Sequence, residues 1–336
     1  MKKTIYIAYT GGTIGMQVSK NGYIPVPGFL EETLANMPEF HRSEMPNYVL
    51  HEYENLIDSS NMSPSDWNLI AEDIRSQYHK YDAFIILHGT DTMAYTASAL
   101  SFMFENLQKP VIVTGSQIPL AELRSDGQEN LLNALYVAAN YPIAEVTLYF
   151  SNKLFRGNRS RKIDANGFDA FGSPNFPALL EAGINISLLA GELVTQSSTE
   201  PLIVTPINTQ PIGVVTLYPG IATEVIENTL KQPVKALILL TYGVGNAPQN
   251  PKLLAQFERA TQEGILVVNC TQCYKGKVSM EDYATGHTLF DAGLISGFDM
   301  TPEAALAKLH YVLGQPINHS QRKTLMAKNL RGELSC

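Results

Sequence analysis

The chain has 336 residues, enough for two domains of ordinary size, and its make-up of 45% hydrophobic and 17% charged residues is that of a water-soluble protein. Lys and Arg total 24 against 32 Asp and Glu, a formal net charge of -8 that repels a phosphate backbone and argues against nucleic acid as a partner. No apolar run approaches the ~18 residues that span a membrane, and three cysteines are too few for a disulfide framework, so the cytoplasm is the expected location.

Lys2 and Lys3 resemble the start of a secretory signal, but the apolar run behind them stops at Gly11-Gly12 and no cleavage site follows. Strand and helix patterns then alternate almost throughout, which predicts an α/β fold with mainly parallel sheets. Ile5–Tyr9 reads as a strand running into paired glycines, with Thr13 just beyond them. Gln17–Gly28, which contains Tyr23, reads as a polar loop. Val49–Tyr53 is a strand leading to Asp58-Ser59-Ser60. Ser63, Pro64 and Asp66 then form a helix-start signal.

Ala83–Leu87 is a second apolar strand and ends in His88-Gly89-Thr90-Asp91-Thr92. Val111–Thr114 runs into Gly115-Ser116, Asp126 is expected to cap the following helix, and Val146–Phe150 is again strand-like. Arg156–Lys162 is the one dense basic stretch. Periodicity lapses between about 191 and 211, which predicts a linker between an N-terminal domain, 1–190, and a C-terminal domain, 212–336. Beyond it, strands are expected at Gly213–Tyr218, Lys235–Thr241 and Ile265–Asn269, with helices at Thr223–Leu230, Pro251–Glu263 and Pro302–Leu313.

Several familiar chemistries fail on their own residues. Gly243-Val-Gly-Asn-Ala-Pro248 has proline where a dinucleotide fingerprint needs its third small residue. His51-Glu52 lacks the second histidine of a zinc helix, since Asn55 stands there. Cys270-Thr-Gln-Cys273 supplies two zinc ligands rather than four and reads as a buried structural pair. Gly115-Ser116 does not continue into a nucleophile elbow. No cofactor or metal is therefore expected.

What remains is two threonines, Thr13 and Thr90, each at a turn after a strand, with Asp91 and Lys162. Carboxyl ends of strands are where ligands bind in open α/β sheets. Taken singly, each residue has an ordinary explanation: a hydroxyl bonding its own backbone, an N-cap, a solvated lysine. Together, a carboxylate–ammonium couple beside hydroxyls would supply a proton path without histidine.

Tyr9-Thr-Gly-Gly-Thr-Ile-Gly15 and His88-Gly-Thr-Asp-Thr92 resemble the two signature motifs of the bacterial-type asparaginases. The likeness is closest to the type I, cytoplasmic group and includes Asp58-Ser-Ser60, Thr114-Gly-Ser-Gln117, Arg156-Gly-Asn158 and Arg331-Gly-Glu333. It implies a larger flavodoxin-like N-terminal domain, a smaller Rossmann-like C-terminal domain, and cofactor-free hydrolysis of L-asparagine to L-aspartate and ammonia, with weak glutaminase activity. By the resemblance Thr13 is the nucleophile, Thr90, Asp91 and Lys162 form a second catalytic group, and Tyr23 lies on a lid. Asp58 and Asp91 would meet the α-amino group and Ser59 the α-carboxylate, with Ser60 and Ser116 completing the substrate set.

Asn246 matches a residue that reaches a neighbouring subunit's site, which implies a homotetramer built as a dimer of dimers. Some relatives bind asparagine at a second, regulatory site; the matching positions are Leu240, Thr271, Gln272 and Cys273, with leucine at 240 where close relatives have arginine. Two other readings compete. The archaeal-type tRNA-dependent amidotransferase subunit carries an extra domain ahead of the first motif, and Thr10 leaves no room for one. A binding protein that had lost the chemistry would lack Thr13, Thr90 or Lys162, and all three are present.

Overall fold

The computed structural model describes residues 2–20, 22–189, 193, 200–231, 233–280 and 284–335. The chain divides into two compact units, Met1–Pro206 and Ile207–Cys336. Of the linker expected at 191–211, residues 191, 192 and 194–199 lie outside the described residues, as does the expected boundary at 190.

The first unit is built on an eight-stranded sheet. β1 (Thr4–Tyr9) is followed by a one-turn helix at Thr13–Gly15 and by an antiparallel hairpin of β2 (Met16–Ser19) and β3 (Gly22–Pro25). The segment expected to be a loop is therefore paired. Its residues are polar or exposed on both faces, so no apolar alternation announces it. After α1 (Phe29–Ala35) come β4 (Asn47–Glu52) and α2 (Pro64–Gln77). α2 opens with the predicted capping box, Asp66 reaching back to the Ser63 amide, and buries Trp67, Ile70, Ala71 and Ile74.

β5 (Ala83–Leu87), α3 (Met93–Met103), β6 (Phe104–Glu105), β7 (Val111–Thr114), α4 (Gly127–Asn140) and β8 (Val146–Phe150) follow. In the sheet the five parallel strands stand in the order β4-β1-β5-β7-β8. Numbered along the chain this is 2-1-3-4-5, the flavodoxin-like winding, whose direction reverses between β1 and β5. Every residue of β5, β7 and β8 is buried, as expected for strands covered on both faces.

Beyond β8 the sheet turns antiparallel through β9 (Lys153–Arg156). Two short strands, β10 (Arg161–Lys162) and β11 (Phe171–Gly172), form a separate hairpin. β12 (Leu180–Ala182) and β13 (Ile186–Leu188) complete the large sheet, and β14 (Ile203–Val204) pairs with β6. The basic stretch is no surface patch: Arg156 and Arg159 are buried, and Arg156 Nε donates to Glu145 at 2.7 Å.

The second unit carries four parallel strands in simple order, β15 (Ile212–Thr216), β16 (Ala236–Thr241), β17 (Leu266–Thr271) and β18 (Ile295–Ser296). Its helices are α5 (Thr223–Thr229), α6 (Pro251–Gln262), α7 (Ala284–Asp291), α8 (Pro302–Gly314) and α9 (His319–Ala327). Alternate residues of β16 enter two apolar clusters, Leu237 and Leu239 one, Ala236 and Ile238 the other. This is the alternation of a strand sandwiched between helical layers. Among the described residues no helix is long and apolar enough to cross a membrane. Behind α8, Lys308 and Glu333 form a fully buried ion pair at 2.5 Å, and Glu333 also accepts from the amides of Leu330 and Arg331.

Candidate active site

The carboxyl ends of β1, β4 and β5 converge in three corners that touch at their glycines. Gly11 (φ 136°) lies against Ile57, so that a Cβ built on it would fall 2.2 Å from the Ile57 carbonyl oxygen. A Cβ on Gly12 (φ 94°) would fall 2.4 Å from the Gly89 nitrogen, and one on Gly89 would fall 2.4 Å from Ser59 Oγ. Only glycine fits such approaches, and only glycine adopts those angles freely. Thr10 ties the corners further, its hydroxyl donating to Leu87 O at 2.8 Å and its carbonyl accepting from the Ile57 amide at 2.7 Å. Thr13 and Thr90 thus leave adjoining points of the β1/β5 reversal, where open α/β sheets bind ligands.

Thr90 is buried and fully engaged. Lys162 Nζ donates to its hydroxyl at 3.0 Å, and the hydroxyl donates to Gln117 Oε1 at 3.0 Å. Lys162 also meets Asp91 Oδ1 at 2.7 Å. The lysine side chain is 22% exposed and the aspartate 62%, so the couple sits at the mouth of the cleft with Asp91 open to solvent. Asp91 caps no helix: α3 starts behind Thr92, whose hydroxyl instead donates to Ser59 O at 2.7 Å.

Gln117 is the residue that reasoning from chemistry alone missed. Its amide is oriented by Nε2 donating to Gly167 O at 3.1 Å, which leaves Oε1 for Thr90. The corner it stands on is fixed from α4. Asp126, expected as a helix cap, makes no capping bond and accepts from the amides of Gln117 (3.0 Å) and Ile118 (3.1 Å). Asn130 donates to Gly115 O at 3.0 Å.

Thr13 is half-buried at the head of its one-turn helix. Asp58 is exposed and accepts from the Ser60 amide at 2.9 Å; Ser59 is buried against Gly89, and Ser60 is exposed. The Ser116 hydroxyl is spent on Ile118 O at 2.6 Å. Tyr23, on β3, is 49% exposed on the hairpin that begins directly behind Thr13.

The remaining predicted positions lie in the second unit. Asn246 closes a tight turn with Tyr242, its amide 2.8 Å from Tyr242 O, and Gly243 and Gly245 inside the turn take positive φ. Leu240 packs on an apolar cluster. Thr271 donates to Gly243 O, and Gln272 spends its amide on the carbonyls of Leu217 (2.6 Å) and Leu240 (2.8 Å). Cys270 and Cys273 are not a buried pair. Cys270 is buried in β17, but Cys273 lies past the strand end and is exposed, and both are free thiols. No group of three or more His, Cys, Asp or Glu suited to a metal occurs among the described residues.

Comparison with known proteins agrees over the whole chain. The family profile described as "Asparaginase, N-terminal" matches residues 4–192, and "Glutaminase/Asparaginase C-terminal domain" matches 211–326. The chain is 65% identical over 334 residues to L-asparaginase 1 of Escherichia coli strain K12, covering 99% of this chain and 98% of that protein. Among solved structures, L-asparaginase I from Vibrio cholerae superposes with a TM-score of 0.94 at 65% identity over 100% of both chains. The thermostable L-asparaginase from Thermococcus kodakarensis superposes with a TM-score of 0.89 at 28% identity over 99% of each.

Proposed function

The chain belongs to the asparaginase family, and we propose that Thr13 is the nucleophile with which it splits the side-chain amide of L-asparagine. The overall reaction is hydrolysis of L-asparagine to L-aspartate and ammonia. In the proposed route Thr13 Oγ1 bonds to the amide carbon, the carbon–nitrogen bond breaks, and the nitrogen leaves as ammonia with the proton given up by the hydroxyl. Water then attacks the resulting β-aspartyl ester, the carbon–oxygen bond to Thr13 breaks, and a proton from water returns to Thr13. An alcohol needs a neighbour to take its proton. The Lys162–Thr90–Asp91 cluster is the observation that carries this reading, because it sets an ammonium, a hydroxyl and a carboxylate within 3.0 Å steps beside the β1/β5 reversal.

Main-chain amides of the Gly89-Thr90 and Gly115-Ser116 corners are the proposed oxyanion donors; one such donor is worth roughly 3–4 kcal/mol of barrier. Asp58 and Asp91 meet the α-ammonium, and Ser59, Ser60 and Ser116 line the substrate's other side. A small polar amide offers little apolar area, so charge-assisted bonds supply most of the affinity. Glutamine is one methylene longer, a difference worth only about 1–3 kcal/mol in a pocket, so weak glutaminase activity belongs to the proposal. Tyr23 comes down on the nucleophile from the exposed hairpin.

A homotetramer in the cytoplasm, with Asn246 of each chain completing a neighbour's site, is the assembly proposed from the resemblance. A domain boundary within 191–211 is part of the same reading, supported by one family profile ending at 192 and the next beginning at 211. No regulatory asparagine site enters it, since Leu240 is a hydrocarbon on the core and Gln272 has no amide hydrogen to spare beyond its two carbonyls. Thr13→Ala tests the nucleophile: ammonia release falls by roughly 10⁴-fold or more, while asparagine binding by calorimetry persists. Turnover at the unaltered level overturns the assignment.

A further inference from the structure

β5 runs straight into His88, which is 1% exposed and has a partner at each ring nitrogen. Nδ1 lies 2.7 Å from Gly89 O and Nε2 lies 2.9 Å from Thr96 Oγ1. Thr96, fully buried on α3, also lies 3.0 Å from Trp67 Nε1 on α2. Both ends of this chain of contacts have a single possible role. An indole N–H only donates and a carbonyl oxygen only accepts. The Thr96 hydroxyl therefore accepts from Trp67 and has its own proton for His88 Nε2, while Nδ1 carries the hydrogen given to Gly89 O. Burial disfavours the imidazolium, pulling the ring's pKa down to about 4 against a smaller opposing effect of the Gly89 carbonyl. A neutral ring with hydrogen on Nδ1 satisfies every atom in the chain.

We propose that His88 is a positioning residue for the Gly89–Thr90 peptide, and that Thr96 and Trp67 set the tautomer that lets it hold that peptide's carbonyl. The inference rests on the reading of this corner as an oxyanion donor and says what aims it. A trans peptide is planar, with its C=O and N–H pointing opposite ways. Fixing the Gly89 carbonyl on the buried imidazole therefore directs the Thr90 N–H to the other side. That N–H has no acceptor among the described residues. A flip of this peptide turns ψ of Gly89, which glycine permits freely, together with φ of the β-branched Thr90, which resists it. Flipped, it would present a carbonyl where the developing oxyanion needs a donor. The hydrogen bond from His88 opposes that flip.

The test compares Thr96→Val with Thr96→Ser in the full-length protein, and reads the His88 ring by ¹⁵N NMR in the unaltered one. Valine keeps the shape and removes the hydroxyl; serine keeps the hydroxyl. A lost oxyanion donor costs roughly 10²–10³ in kcat and a misaimed one at least about tenfold. Thr96→Val is thus expected to lower kcat at least about tenfold with KM within about twofold, and Thr96→Ser to restore kcat to within about threefold. The ¹⁵N shifts are expected to show hydrogen on Nδ1 and a bare Nε2. Unchanged kcat in Thr96→Val, equal losses in both variants, or hydrogen on Nε2 in the unaltered protein would each overturn the proposal. The NMR arm stands even where Thr96→Val does not fold. If Thr13→Ala abolishes ammonia release while Thr96→Val leaves kcat unchanged, the inference about His88 fails and the reaction route survives.

Discussion

Lys162 and Thr90 are 72 positions apart in the chain and 3.0 Å apart in space, the ammonium donating to the hydroxyl. The short β10–β11 hairpin holds the lysine over the corner that follows β5, and Asp91 takes a second of its hydrogens.

Replacing Lys162 with methionine keeps the stem and removes the charge. A group that moves or stabilises protons acts mainly in the transition state, so kcat is expected to fall by roughly 10²-fold or more while KM changes little. Steady-state ammonia release checks this, and a variant with normal kcat and raised KM would reassign Lys162 to substrate holding.

Gly12→Ala is expected to be costly although it adds one carbon. Its φ of 94° is disfavoured for alanine, and the new Cβ would sit 2.4 Å from the Gly89 nitrogen. A loss of at least about 2 kcal/mol is expected, together with most of the activity, because the strain separates the two threonine corners. Urea unfolding measures the first and ammonia release the second.

In the second unit, Lys308→Met leaves Glu333 buried with its counter-charge gone. Stripping one partner from a buried pair costs about 3–5 kcal/mol. Adding Glu333→Leu to the same chain is expected to recover part of that loss, and chemical unfolding of the single and double variants reads the difference.

The two described cysteines are expected to differ in reactivity. Burial, with Glu303 nearby, pushes the Cys270 thiol up to about 12, so at pH 8 only about one part in ten thousand is thiolate. Exposed Cys273 is expected to take iodoacetamide in the folded protein and Cys270 only after denaturation. Peptide mass mapping distinguishes them.

The parts of this protein legible in its sequence are those with strong periodicity or distinctive chemistry. β1, β5, β7, β8, β16 and β17 read clearly because apolar runs end in glycine or polar turns. Thr13, Thr90 and Asp91 stood out because they follow such runs. The β2–β3 hairpin did not, since neither of its faces is buried in a core. β12 and β13, at three residues each, are too short for any pattern. Asp126 holds the N-cap position of α4 as its place before a helix suggests, but its carboxylate makes no capping bond, because the tertiary arrangement brings the amides of Gln117 and Ile118 to it. Gln117 itself could have been suspected as a polar side chain following a strand-end glycine, the same setting as Thr90. Cys270 and Cys273 part, one buried and one exposed, because the end of β17 falls between them, which their spacing does not reveal.

Backbone presses on backbone at Gly11 and Gly12, while Gly89 lies against the Ser59 side chain. Attempts to retune this protein toward a bulkier amide therefore have little besides Ser59 to trim at these approaches. On the proposed assignment of the site, selectivity is redrawn at Tyr23, Asp58, Ser60 and Asp91, whose side chains meet solvent. A mutagenesis library confined to those rim positions should yield altered specificity in folded proteins, whereas one that includes the three glycines should return mainly misfolded ones.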